Sequence, residues 1–480
     1  MKKIFLFLTI SLFSIPAMYA VVTWDGTSSE MWTQGTGTEA DPYLIETPAN
    51  LAYLSAQVTA GKTYAGVYFQ QTEDFDLQSK TWTPIGTSTY KFAGIYDGGN
   101  KFISNLTNSI FGSIIDATIM NITLQGVDIN TNENNTAILV ERTFDDCKIT
   151  NCHNKINIKI TVSKTYSSMT LYCGGIVSHA SGLSLYVEGC SNKGNITISN
   201  PSSGRYDEAK MKHAYAGGIV GYSNDNTFIN ACCNMGNIFV SQYTHYQYSY
   251  DLYTAAAGII GGGMCDICEQ CYNTGSISAA AAGYTNASGS PSNKVIVYGI
   301  GPSRIHKACY VISDANGIVF GAHEVESCYA IGAGTMPSMC SNVYHNQSSI
   351  TNGTYKSDIA FKDPSMISLL NTLGDYFTMD LEGINDGYPI LKWQAGPRFT
   401  ITGSCDANRG TVKGGGEYAP GNTVTLTATP KKGCTFVGWS DGVTDNPRTV
   451  TVEGDATYRA QFIKSSYTIY VNQDCTNYIE

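Results

Sequence analysis

Gly174-Gly175-Ile176-Val177, Gly217-Gly218-Ile219-Val220-Gly221 and Ala257-Gly258-Ile259-Ile260-Gly261 state one phrase three times. It returns as Tyr298-Gly299-Ile300-Gly301 and Asn316-Gly317-Ile318-Val319. The second position falls at 175, 218, 258, 299 and 317, in steps of 43, 40, 41 and 18 residues. A second phrase trails the first three copies: Cys190-Ser-Asn-Lys-Gly-Asn-Ile196, Cys233-Asn-Met-Gly-Asn-Ile238 and Cys271-Tyr-Asn-Thr-Gly-Ser-Ile277. Degenerate copies precede them at Ala137-Ile138-Leu139-Val140 with Cys152, and at Ile110-Phe111-Gly112 with Ile119–Leu124. Self-similarity at this period marks a solenoid, in which each unit buries its apolar face only against its neighbours. Alternation, as at Ile196 and Ile198, places strand residues inward. Glycine permits tight turns and close backbone approach, and Asn-Gly suits the turns between strands. With a coil of ~20 residues, the long step reads as two coils and the step of 18 as one. Val67 to Tyr355 then holds roughly fourteen coils, a rod on the order of 65 Å at ~4.8 Å per rung. Insertions such as Ser203–Met211 and Tyr243–Tyr253 are expected to leave the rod on one side.

A solenoid needs closed ends. Thr47 as N-cap, Pro48 in the first turn and an apolar stripe of Leu51, Leu54 and Val58 predict a helix running to Ala60-Gly61. A second helix is predicted from Pro364 to about Phe377, with Ile367, Leu370 and Leu373 on one face. Both flank the repeats and read as caps.

The composition agrees with an extended β architecture. The chain has 480 residues, 49 of them Gly and 32 Tyr, and only 14% are charged, against about 25% in average soluble domains. A net charge of −10 argues against a nucleic-acid partner. Met1-Lys2-Lys3, the apolar run Ile4–Phe13 and the small residue Ala20 make a secretory signal peptide, with cleavage expected after Ala20. The run is too short to span a bilayer, and no other segment qualifies, so no membrane span is expected after cleavage.

All 15 cysteines lie after residue 146. Cys152, Cys190, Cys233, Cys271, Cys309 and Cys328 recur with the repeats, which reads as small inward apolar residues rather than a disulfide framework. Cys265-Asp-Ile-Cys268-Glu-Gln-Cys271 has a metal-like spacing. No matching second ligand pair follows it in sequence, so it reads as packing or a local disulfide, and no metal is assigned.

Residues 36–106 resemble the opening of secreted bacterial β-helix proteins with GLUG-type repeats. The likeness rests on Gly37-Thr-Glu-Ala-Asp-Pro-Tyr-Leu44, Asp74-Phe-Asp-Leu77, Trp82-Thr-Pro-Ile-Gly86 and Phe92-Ala-Gly-Ile-Tyr-Asp-Gly-Gly-Asn100. The repeats, and Asn385-Asp-Gly-Tyr-Pro-Ile-Leu-Lys-Trp393, fit the same pattern. The resemblance implies a right-handed parallel β-helix. Such proteins look like surface or secreted adhesins, and the repeat also occurs attached to peptidases. Residues 398–464 are similar to the bacterial repeat domain related to internalin B-repeats, through Gly414–Gly421, Val424-Thr-Leu-Thr-Ala-Thr-Pro430, Phe436-Val-Gly-Trp439 and Thr449–Phe462. That family implies a small all-β module used as a spacer or binding unit. Alternation at Val424, Leu426 and Ala428 independently predicts half-buried strands. Cys405 and Cys434 both fall in this module and are candidates for a disulfide in an oxidising compartment. The tail Tyr467–Val471 with Cys475 echoes Phe399–Ile401 with Cys405, as if opening a second copy.

The expected fold is thus all-β: a right-handed parallel β-helix with short capping helices and a small C-terminal all-β domain. The expected order is a signal peptide (1–20), a lead-in with the capping helix (21–65), the solenoid and its C-terminal cap (66–396), the repeat module (397–464) and a tail (465–480). No Gly-x-Ser-x-Gly, His-Glu-x-x-His or phosphate loop is present, and the seven histidines share no metal-ligand spacing. Asp145-Asp146 is a carboxylate pair whose members point to opposite faces on a strand, which suits a turn better than catalysis. Arg304 and His306 would share a face if extended, as a polysaccharide-cleaving site would need, although a solvated turn is the simpler reading. No catalytic residue and no cofactor are assigned.

Tyr243, His245, Tyr246, Tyr248, Tyr250 and Tyr253 crowd one insertion. Exposed tyrosines stack on sugars and supply rigid contact area for proteins, whereas a loop folded over the solenoid would use them for packing. The expected function is an exported adhesin that presents a β-helix face to a glycan or an extracellular host protein. A β-helix lyase or glycosidase and a structural stalk are the alternatives. Replacing Tyr246, Tyr248 and Tyr250 by Ser should abolish ligand binding while leaving the melting curve of the chain unchanged; binding that survives the triple change would remove the insertion from the site.

Overall fold

In the computed structural model the described residues are 21–133, 135–162, 169–199, 211–224, 226–244, 252–283, 293–307, 309–312, 317–318, 321–326, 329–331, 334–335, 340–341, 344–345, 354–355, 358–418 and 420–465. The expected signal peptide, Cys328, most of the tyrosine-rich insertion and the tail from 466, including Cys475, fall outside them. The chain divides into two compact units, residues 1–377 and 378–480.

The first unit is a parallel β-helix. One coil reads Met169–Gly174, Val177–Ala180, Ser184–Glu188 with Ser191–Asn192, then Ile196–Ser199. These strands lie on four successive faces or face segments. Each pairs in parallel with its counterpart in the next coil, Met211–Gly217, Val220–Ser223, Thr227–Asn230, Cys233–Asn234 and Ile238–Thr244.

Equivalent residues in this region lie 38, 42 and 39 apart. The long step is therefore one coil, not two. Sequence period counts residues per repeat but cannot count turns. The largest face carries the parallel series Phe69, Tyr96, Ile119, Ile149, Val187, Ile229, Cys268, His306, Val325 and Cys340. That is ten rungs from Phe69 to Cys340, and Thr354–Tyr355, paired with Tyr344–His345, adds an eleventh coil; eleven coils span about 48 Å at ~4.8 Å per step, in place of fourteen coils and 65 Å.

Both recurring phrases have one cause. Asn154, Asn192, Asn234 and Asn273 are fully buried. The Nδ2 of each of the first three donates to Oδ1 of the Asn one coil on, at 2.7, 2.8 and 2.7 Å. Every one also donates to the carbonyl two residues along its own turn, at Ile156, Gly194, Gly236 and Gly275. The amides thus form a continuous ladder inside the rod. Across the interior sits the glycine of the first phrase. A Cβ on Gly175, Gly218 or Gly258 would come within 2.6, 2.5 and 2.6 Å of the ladder Asn of its own coil. It would also meet the carbonyl of Gly218, Gly258 or Gly299 at 2.3, 2.1 and 2.2 Å.

The recurring cysteines are explained by a corner. Asn121, Asn151, Gly189, Ala231 and Gln270 all have a left-handed backbone, with φ of 58, 51, 65, 50 and 47°. The residue after each, Ile122, Cys152, Cys190, Cys232 and Cys271, turns fully inward. Cys309 follows as the next rung, where the Tyr310 N–H donates to the Cys271 carbonyl. Cys232, not Cys233, therefore holds the rung. Cys233 instead pairs with Ser191 and Tyr272.

Helix Pro48–Thr59 forms as expected. Thr47 Oγ1 accepts from the Asn50 N–H at 3.2 Å, the Asn50 side chain accepts from the Thr47 N–H at 3.1 Å, and Pro48 stands in the first turn. Leu51, Leu54 and Val58 are fully buried in the rod's core cluster. Near them Trp32 gathers Tyr43, Tyr53, Tyr64 and Phe69 within 5.0–5.9 Å. The second helix is shorter than expected, Ser365–Leu370, with a 3-10 turn Asn371–Leu373. It stops because Asn371 Oδ1 accepts from the Tyr376 and Phe377 N–H groups, which folds the chain back. Met366 and Leu370 are buried, and Ile367 is half-buried.

In the second unit, strands Phe399–Cys405, Gly416–Tyr418, Cys434–Trp439 and Ala456–Lys464 form one sheet, and Gly410–Lys413, Thr423–Pro430 and Arg448–Thr451 another. Val424, Leu426 and Ala428 point into a core around Trp439 and Phe462. Arg448 is clamped bidentately by Asp441 at 2.7 and 2.8 Å and lies over the Tyr458 ring at 4.4 Å. Cys405 and Cys434 are free thiols, and the register explains why. They flank opposite edges of Ala456–Lys464, Cys405 opposite Ala460 and Cys434 opposite Lys464. Two strand spacings and four residues of rise separate them by about 16 Å, and a disulfide needs Cα atoms within about 7 Å. The expected pairing is thus ruled out.

Gly218→Ala should force a methyl group onto Asn234 and the Gly258 carbonyl and destabilise the rod by about 1–3 kcal/mol, read as a lower urea midpoint. Wild-type stability in this variant would contradict the packing described here.

Candidate ligand-binding face

Two strand series meet at the Gly-rich corner. On one, Leu171 and Cys173 are buried inward, so the half-buried Tyr172 points outward. Tyr215 stands one coil on, between buried Ala214 and Ala216. On the neighbouring series, Arg142, His179 and Tyr222 occupy successive rungs. The outward rings of the two series touch. Tyr172 lies 4.4 Å from His179, 4.8 Å from Tyr222 and 5.9 Å from Tyr215, and Tyr215 lies 4.8 Å from Tyr222. Outward side chains on two faces can meet only where the wall folds inward, so this corner is a groove. Gly262 takes the next rung after Tyr222, and the Tyr215 ring fills the space its side chain would occupy, 2.1 Å from an ideal Cβ. His213 continues the patch, 6.2 Å from Tyr215 and 5.2 Å from Tyr253.

Burial pushes the Tyr215 hydroxyl up to about 12, with Tyr222 and Tyr172 adding to it. Burial and then the Arg142 charge hold His179 below its ordinary value. Burial likewise raises Tyr172, so at neutral pH the Tyr172 and Tyr215 phenols keep their protons beside a neutral His179 imidazole. This donor-rich aromatic surface suits hydroxylated ligands.

Of the tyrosine-rich insertion, Tyr253 is in this patch. The backbone of Tyr243 ends the strand Ile238–Thr244; His245, Tyr246, Tyr248 and Tyr250 lie outside the described residues. The segments 163–168, 200–210, 245–251 and 284–292 each connect a strand of the Ile196–Ser199 series to one of the Tyr172 series. Sequence reasoning missed Tyr172, His179, Tyr215 and Tyr222, because only the 43-residue register between Val177 and Val220 brings them together.

The other sequence candidates fall apart. Asp145 is a left-handed turn residue with φ 50°, and Asp146 accepts a hydrogen bond from Ser184. Arg304 is exposed and pairs with Asp266 at 3.2 Å, whereas His306 is fully buried. The two do not share a face because Ser303 Oγ bonds both the N–H and the carbonyl of Ile305, bending the strand out of alternation. Among the described residues, Cys268, His306 and Cys309 bring their ligand atoms within 4.8 Å of one another. This contradicts the view that Cys268 lacks a second ligand pair, since its partners are one 38-residue coil further on.

Residues 400–466 match the family described as the divergent InlB B-repeat domain. No curated protein matches the chain. Among solved structures the chain is similar to an IgA1 protease, at 15% identity and a TM-score of 0.38, over 58% of this chain and 21% of that one. The chain thus spans about a fifth of that protein's length. No helix among the described residues is long and apolar enough to cross a membrane.

Beside Arg142, burial pushes the Glu141 carboxyl from 4.5 up to about 7, the Ser109 hydrogen bond opposing the shift. Between these two values the folded chain keeps a proton that the unfolded chain has released. Stability should therefore fall as pH rises through that window, with the loss complete above it. Glu141→Gln should flatten the melting temperature against pH across the window; a slope identical to wild type would assign it to other groups.

Proposed function

We propose that this chain is an exported surface or secreted binding protein whose aromatic groove takes a glycan. The observation that carries this reading is the cluster of Tyr172, Tyr215 and Tyr222 with His179 and Arg142 on consecutive rungs. The rung spacing of about 4.8 Å is close to the width of a pyranose ring, so successive tyrosines can stack on successive sugars. Variable connections between strands can add specificity without disturbing the rod. The basic and apolar N-terminal segment supports export, and the B-repeat match at residues 400–466 supports a surface or extracellular setting. An extracellular protein is a second class of partner for the same groove. Nothing in the geometry favours the lyase reading, because Arg304 and His306 face opposite ways and Asp145-Asp146 builds a turn.

The full chain should retain a restricted set of saccharides on a glycan array. Tyr172→Ser with Tyr222→Ser should weaken that binding at least about tenfold, a change of ~1.4 kcal/mol, at unchanged melting temperature. New reducing ends from acidic polysaccharides would establish an enzyme instead, and full binding by the double variant would move the site elsewhere.

A further inference from the structure

We propose that Cys268, His306 and Cys309, with Cys271 as fourth ligand, form a closed structural site for a thiophilic d10 metal ion, Zn2+ first. Cys268 and His306 are direct parallel neighbours on adjacent coils. The corner residues Cys271 and Cys309 are stacked on the same two coils. All four side chains are fully buried. The Cys309 thiol donates to the Cys268 carbonyl at 3.3 Å, and Cys271 is in side-chain contact with both Cys268 and Cys309.

The imidazole is already set as a ligand. Its Nε2 lies 3.0 Å from the Gly301 carbonyl. A carbonyl can only accept, so Nε2 carries a proton, and Nδ1 is the nitrogen a metal would take. A backbone carbonyl holding the far nitrogen is the usual support of a metal-bound histidine.

For three of the four ligands the dimensions fit with a modest contraction, and the Cys271 thiol must turn toward them. The Cys268, His306 and Cys309 ligand atoms lie within 4.8 Å of one another. A tetrahedral Zn2+ with S and N ligands needs separations of about 3.5–3.8 Å. On binding, three S–H protons pass to solvent, three thiolates and one neutral imidazole bind Zn2+, and the complex carries one net negative charge. Affinity should therefore fall as pH falls.

The position gives the site a purpose. The Asn ladder ends at Asn273, whose counterpart one coil on is Val311. Past His306 the coil step shrinks to 19 residues, reaching Val325. The metal would clamp the rod where its own amide ladder stops and its coil shortens.

Because the site is enclosed, metal must enter during folding. The full chain is unfolded in denaturant with reductant, refolded with Co2+ or Zn2+, and dialysed. We expect one metal ion per chain, thiolate-to-cobalt charge transfer with tetrahedral d–d bands, and a higher melting temperature than the metal-free refold. Cys268→Ser should lose charge-transfer intensity and His306→Gln should shift the d–d bands, while Cys173→Ser, a buried thiol outside the site, should keep the wild-type spectrum. The wild-type spectrum decides the question even where a variant does not fold. Its absence, a metal content near zero, or an intramolecular disulfide involving Cys268 or Cys309 would overturn the proposal.

Discussion

A carboxamide shut inside an apolar rod must find partners for its donors and its acceptor, or it costs about 1–3 kcal/mol. Here the only partner for most of that capacity is the same amide one coil away. Asn154, Asn192, Asn234 and Asn273 satisfy one another in sequence, and each closes its own turn through the second hydrogen of Nδ2. A slip of one residue would put the amide outside and an unsatisfied backbone inside, so the ladder fixes register as well as filling space. The glycines of the first phrase follow from it, because the amide occupies the position their side chains would need.

Fixed register with free loop length turns this rod into a platform. Coil steps run from 42 residues between Asn192 and Asn234 to 15 between Val325 and Cys340. The inward residues stay in line because the length differences fall between strands whose parallel register is kept. On this wall the rings of Tyr172, His179, Tyr215 and Tyr222 touch across two faces. A low share of charged residues is the natural composition of such a wall, where stacked backbone and amides do most of the polar work.

What the sequence made legible was local. The capping box of Thr47 and Asn50, the stripe of Leu51, Leu54 and Val58, and the alternation at Val424, Leu426 and Ala428 are set by contacts a few residues apart. What it concealed was nonlocal. A period of about 40 residues does not say whether the chain turns once or twice. Cys233 looked like the rung because a one-residue shift in the middle copy hides Cys232, and only the left-handed Ala231 tells them apart. Cys405 and Cys434 shared a module but not a strand neighbour. His306 lay far from Cys268 in sequence and directly beside it in the wall.

A double-mutant cycle on Asn192 and Asn234 tests the ladder most directly. Each single change to Ala takes a partner from the amides on both sides of it, while the double change removes both ends of the Asn192–Asn234 hydrogen bond, the one bond the two losses share. If the ladder holds the coils together, the two losses are coupled by on the order of 1–2 kcal/mol in urea unfolding of the full chain. Losses that add to within about 0.5 kcal/mol would show that the two amides are satisfied independently, and that something other than the ladder sets the register of the rod.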